Sequence, residues 1–121
     1  MRWLVLAAVL AMPAHAQQVA DAPGGVVRVL DKLSGALIDL DLSRGQSGAM
    51  GRLTVQLDEC RYPVDNPASD SFAHLTIHDS AQVAPVFAGW MVASSPGLSA
   101  LDHPRYDVWV MRCDTPAAVG E

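Results

Sequence analysis

Positive charge is scarce in this chain: 8 Lys and Arg stand against 13 Asp and Glu, for a formal net charge of −5 over 121 residues. A small acidic domain has no electrostatic footprint for nucleic acid and is not drawn to anionic membrane surfaces. Long apolar runs are equally scarce. The longest, Trp3 to Met12, has ten residues and would span about 15 Å as a helix, half of a bilayer core. It cannot hold the chain in a membrane. Cysteine is limited to Cys60 and Cys113, with no CxxC pair to suggest redox chemistry or a metal knuckle. No G-x-S-x-G elbow and no Walker lysine loop occurs, which removes the usual hydrolase and phosphate-binding signatures. Disorder is excluded too, since half of the residues are hydrophobic and 17% are charged.

What is present begins with an export signal. Met1-Arg2 carries one positive charge, Trp3 to Met12 is the apolar core, Pro13 breaks the helix, and Ala14-His15-Ala16 offers small residues at a signal-peptidase site. The expected divisions are a signal peptide at 1–16, a flexible lead-in at 17–25, a single β-domain at 26–114 and a frayed tail at 115–121. The destination is the periplasm, and removal of the signal leaves no membrane insertion. In such an oxidising compartment a lone cysteine pair reads as one disulfide, Cys60 to Cys113.

The rest of the chain reads in strands. Val26 to Leu30 and Ala36 to Leu42 form a hairpin across Ser34-Gly35, with Ile38, Leu40 and Leu42 on one face and Asp39 and Asp41 on the other. Leu53 to Asp58 alternates and leads into Cys60. Arg61 to Ser71 is rich in Pro, Asp and Asn and reads as a loop, as does Arg44 to Gly48. Phe72 to His78 places Ala73, Leu75 and Ile77 together. Val86 to Val92 is apolar, with Gly89 as a candidate bulge, and Tyr106 to Cys113 sets Val108 and Val110 against Trp109 and Met111. Ser95 as N-cap and Pro96 at the first turn predict one short helix near 96–102, ended by Pro104. The fold class is all-β, a small antiparallel sandwich or barrel of about six to seven strands.

The residues Phe87 to Pro96 and Ala100 to Val110, with Gly51-Arg52-Leu53, Cys60-Arg61-Tyr62-Pro63 and Phe72 to Ile77, resemble the domain of unknown function 2155 family of exported alphaproteobacterial proteins. The resemblance covers about Val26 to Cys113. It implies a small periplasmic β-domain carrying the Cys60–Cys113 pair, and it implies no reaction. Asp70-Ser71 departs from the glutamate that many members carry there, which speaks against a catalytic acid in that loop.

Candidate chemistry is thin. His74 and His78 share a strand face but sit about 13 Å apart, too far to hold one ion. Trp90 and Trp109 lie in apolar strands, where core packing is the default. Asp39 and Asp41 read as a solvated face. The densest polar segment surrounds the helix exit. Ser94, Ser95, Asp102, His103, Arg105, Tyr106 and Asp107 form the candidate interaction surface. No residue is assigned to catalysis, to a cofactor or to a metal. The reading is a non-enzymatic binding or accessory protein that offers this surface to an envelope protein; the alternative is a small hydrolase using His103 with Asp102 or Asp107.

Overall fold

The structure, a computed structural model, describes residues 18–116. The expected signal peptide at 1–16 and the tail beyond residue 116 lie outside the described residues. Eight strands follow in order: β1 (Val19–Asp21), β2 (Gly24–Asp31), β3 (Leu37–Ser43), β4 (Ser47–Met50), β5 (Leu53–Pro63), β6 (Phe72–Asp79), β7 (Phe87–Val92) and β8 (Tyr106–Cys113). They form two separate antiparallel sheets rather than a closed barrel. One runs β1-β5-β6-β7, with β4 also on β5; the other runs β3-β2-β8.

Alternation decides which face of each strand is buried. Ala73, Leu75 and Ile77 of β6 are 0% exposed, while His74, Thr76 and His78 point away from the core. Leu53, Val55 and Leu57 of β5 face Val27 and Val29 of β2 and Val108 and Val110 of β8 in one apolar cluster. This is a two-layer sandwich whose inner faces are built by the period-2 pattern. The Cys60–Cys113 disulfide, with Cα atoms 5.7 Å apart, joins β5 of one layer to β8 of the other.

Five expectations are corrected. The lead-in is not loose where it is described: Val19–Asp21 pairs with Arg61–Pro63, and Ala22 is buried. The loop at Arg44–Gly48 contains the start of β4, and β5 runs on past Cys60 to Pro63. The helix near 96–102 does not form. Ser95 accepts a single turn bond from the Leu98 N–H, and Leu98 is 77% exposed while Leu101 is buried, so the two leucines do not share the inward stripe that a helix would need. Trp90 and Trp109 are half-buried on the outer faces of their sheets rather than in the core, because their strand neighbours Met91, Val108 and Val110 take the inward positions.

Candidate functional site

The connection 93–105 runs from the end of β7 to the start of β8. β6 and β8 both extend between two ends of the sandwich, about 25 Å apart for eight residues. At one end stand Asp79 and Tyr106, and at the other Ser71 and Cys113. The sequence-predicted surface residues divide between them.

At the first end, His103 is 5% exposed and Asp79 is 3% exposed. The imidazole Nδ1 accepts the backbone N–H groups of Arg105 at 3.0 Å and Tyr106 at 3.2 Å. The hydrogen is therefore on Nε2, which donates to Asp79 Oδ2 at 2.8 Å. Asp79 also accepts the Ala81 N–H, and the Arg52 guanidinium lies 3.7 Å away. The Ala81 N–H first, and His103 second, hold the Asp79 carboxyl below the usual carboxylate range. Arg105 donates two hydrogen bonds to Asp31, from Nε at 3.2 Å and Nη2 at 3.0 Å. That pairing, helped by the Leu33 N–H, lowers the Asp31 carboxyl to about 2. Lys32 closes the corner by donating to the His103 carbonyl at 2.8 Å and lying 3.6 Å from Asp107.

Tyr106 is 0% exposed, and its hydroxyl accepts the Arg52 N–H at 3.3 Å. Gly51, at φ +56°, makes this approach possible, because a Cβ there would lie 2.5 Å from the Tyr106 Oη. The candidate surface is thus corrected at two members. His103 and Tyr106 are interior, and a partner cannot touch them. The hydrolase geometry is corrected as well. Asp79, not Asp102 or Asp107, orients His103, and both ring nitrogens are occupied, so the imidazole has no free lone pair to take a proton from a nucleophile.

Ser94 stands at the other end. Asp70 Oδ1 accepts the N–H of Ser71 at 2.8 Å and of Ser94 at 3.0 Å, and Oδ2 accepts the Ser94 hydroxyl at 2.7 Å. Burial disfavours the Asp70 anion, but the Ser94 and Ser71 hydrogen bonds outweigh it and the carboxyl stays below its ordinary range. The Ser71 hydroxyl accepts the Cys113 N–H at 2.9 Å. Around these bonds opens a cleft of about 490 Å³, walled by the 67–71 loop, by Ala93 and Ser94, and by the end of β8 with Thr115. Its size is that of small-ligand and peptide sites. It combines hydroxyls and backbone groups with the apolar walls of Met111, Ala93 and Pro67. Sequence reasoning named Ser94 but missed the cleft, because Asp70 and Ser94 are 24 residues apart.

A third cluster covers the outer face of the larger sheet. A bulge between Leu57 and Glu59 sets Asp58 out of register. Its Oδ2 accepts from the Thr76 hydroxyl at 2.6 Å and lies 2.8 Å from His74 Nδ1. His74 meets Trp90 edge-on at 5.3 Å, and the Arg61 guanidinium lies over the indole at 4.9 Å. The Trp90 ring is thereby contacted by both His74 and Arg61 of its own chain.

Comparison with known proteins places the matched region over both layers. The family model described as "Uncharacterized protein conserved in bacteria (DUF2155)" matches residues 25–113. "Uncharacterized protein RP359" of Rickettsia prowazekii (strain Madrid E) is 27% identical over 92 residues, which cover 74% of this chain and 59% of that protein. The chain thus spans about three-fifths of that relative's length. No solved structure matches.

Proposed function

Because the chain belongs to the DUF2155 family, whose matched segment builds both sheets, we propose that it is an exported, non-enzymatic binding module of the bacterial envelope. Recognition takes place in the cleft between the 67–71 loop, Ser94 and the end of β8. The observation that carries this reading is the cleft itself, about 490 Å³ at the end of the sandwich where the disulfide joins the layers. A recognition site gains from walls that do not move. Here the loop is held by Asp70 and Ser94, and the β8 wall by Cys113. Its mixture of hydroxyls, backbone edges and small apolar walls suits a segment of polypeptide from an envelope protein. Of the surface named from sequence, Ser94 lines this cleft, while Arg105 and Asp107 are tied to Asp31 and Lys32 at the opposite end.

Export is read from the segment ending at Ala16 and from the disulfide, which persists in oxidising compartments. Mass spectrometry of the protein from an envelope fraction is expected to find an oxidised chain beginning at Gln17. A chain retaining Met1 with two free thiols would overturn the location. For the cleft, a photo-crosslinking residue is placed at exposed Ala68, with a control at exposed Ala36 in the hairpin at the other end. A discrete adduct from position 68, lost when Ser94→Trp fills the cleft, supports the reading. Adducts from position 36 alone sink it.

A further inference from the structure

β7 is an edge strand with β6 as its neighbour. The Ala93 N–H on the Ser71 carbonyl sets the phase of the β6–β7 ladder. Met91 and Gly89 exchange hydrogen bonds with Ala73 and Leu75, and the N–H and C=O groups of Ala88 and Trp90 aim at the open edge. Among the described residues, no backbone group of the 93–105 connection hydrogen-bonds to Ala88 or Trp90.

Exposed edges are normally blunted by charge, by proline or by shortness. The other edges follow that rule. β3 alternates through Asp39 and Asp41, and β1 and β4 are three and four residues long. β8 has its terminal N–H groups taken by His103 and by the Ser71 hydroxyl. β7 carries neither charge nor proline within its six residues, and of its outward-facing backbone groups only the terminal Val92 carbonyl is taken, by the Ser95 N–H. Phe87-Ala88-Gly89-Trp90-Met91-Val92 is uncharged and proline-free, and it is flanked by uncharged Ala84 to Val86 and Ala93 to Ser95.

We propose that β7 pairs antiparallel with β7 of a second copy of this chain about a two-fold axis, joining the two larger sheets. A two-fold interface must be complementary to itself. In a chain of net charge −5, a neutral strand with neutral flanks is where a copy approaches at least electrostatic cost. Outward residues then face outward residues. The register follows from the backbone. The Val92 carbonyl is already taken by the Ser95 N–H, so Ala88 of each copy lies opposite Trp90 of the other, with Gly89 on the axis. The half-exposed indole then covers the small Ala88 side chain, and the unpaired groups of both residues are satisfied. This inference does not depend on the cleft.

Sedimentation equilibrium of the oxidised mature protein over a wide concentration series tests it. The expected result is a monomer on dilution and twice that mass when concentrated. Ala88 is exposed, so Ala88→Glu and Ala88→Lys keep the wild-type melting curve, and each alone stays monomeric. An equal mixture of the two variants recovers the doubled mass, because the position-88 side chains lie diagonal across the axis, within reach of each other. A wild-type chain that is monomeric at every concentration overturns the proposal. So does a dimer that neither variant disturbs, or a mixture that fails to reassociate. A single variant that misfolds leaves the other variant and the wild-type series to decide.

Discussion

His103 shows at the residue scale how a side chain that looks catalytic becomes structural. Each of its polar atoms serves the fold: two backbone N–H groups on Nδ1 and a carboxylate on Nε2. His103→Ala orphans both amides, at about 1–3 kcal/mol each when buried. The urea midpoint is expected to fall sharply while crosslinking from position 68 in the remaining folded protein continues. The neighbouring carboxylates set the acid response. Asp31 is lowered from 3.8 to about 2, and Asp79 and Asp70 are also lowered. A carboxyl whose folded value is depressed contributes stability above its unfolded value, and that contribution is lost as the pH falls through the folded value. The urea midpoint is therefore expected to hold from neutrality to about pH 5 and to drop between about pH 4 and 2. Arg105→Gln, which releases Asp31, lowers the plateau and flattens that drop. A midpoint in wild type unchanged down to pH 2 would contradict the Asp31 pairing.

At the element scale the β4–β5 turn carries the sharpest constraint. Gly51 combines φ +56° with the Tyr106 hydroxyl in the place a Cβ would occupy. Gly51→Ala is expected to cost about 1–2 kcal/mol from backbone conformation alone, and more from the displaced hydroxyl. Tyr106→Phe loses one hydrogen bond to Arg52, about 1 kcal/mol, but removes the obstructing oxygen. The double variant should thus lose less than the sum of the singles in chemical denaturation; strict additivity would show that the two residues do not meet. Elements also divide by legibility. β3 and β6 were readable because apolar and polar residues alternate from Ile38 to Ser43 and from Ala73 to His78. β1 and β4, at three and four residues, are too short to show a period, and their pairing with β5 is what makes them strands. The 96–102 segment failed the other way. Ser95 and Pro96 are good local helix-start chemistry, but a helix needs a buried stripe, and Leu98 points to water.

At the scale of the whole molecule the two layers are held by the apolar cluster and by one covalent bond. The cysteines are 53 positions apart, and closing a loop of that size is worth about 4 kcal/mol in the chain-entropy model. Against a typical total of about 5–15 kcal/mol, Cys60→Ser with Cys113→Ser should leave a marginal domain, with its urea midpoint reduced by about a quarter or more. A midpoint within error of wild type would mean that the apolar core alone holds the layers. The same bond sits beneath Gly25, where a Cβ would fall 2.9 Å from the Cys60 Sγ. The β2 backbone therefore passes directly against the disulfide, and Gly25→Val should destabilise the oxidised chain more than Gly35→Val, which stands in open space but carries its own positive-φ strain.

Local order along the chain determined the all-β class, the inward sets of β3 and β6 and the pairing of the only two cysteines, because a period of two and a count of two are properties of neighbours and of composition; it divided β8 into two faces but did not choose the inward one. Tertiary structure alone decided which polar residues meet. Asp31 reaches Arg105 across 74 residues, Asp79 reaches His103 across 24, and Asp70 reaches Ser94 across 24. Those partners are chosen by which strand ends the stacked sheets bring together. That choice turned His103 and Tyr106 inward, moved the open cleft to Ser94, and left β7 as the bare edge.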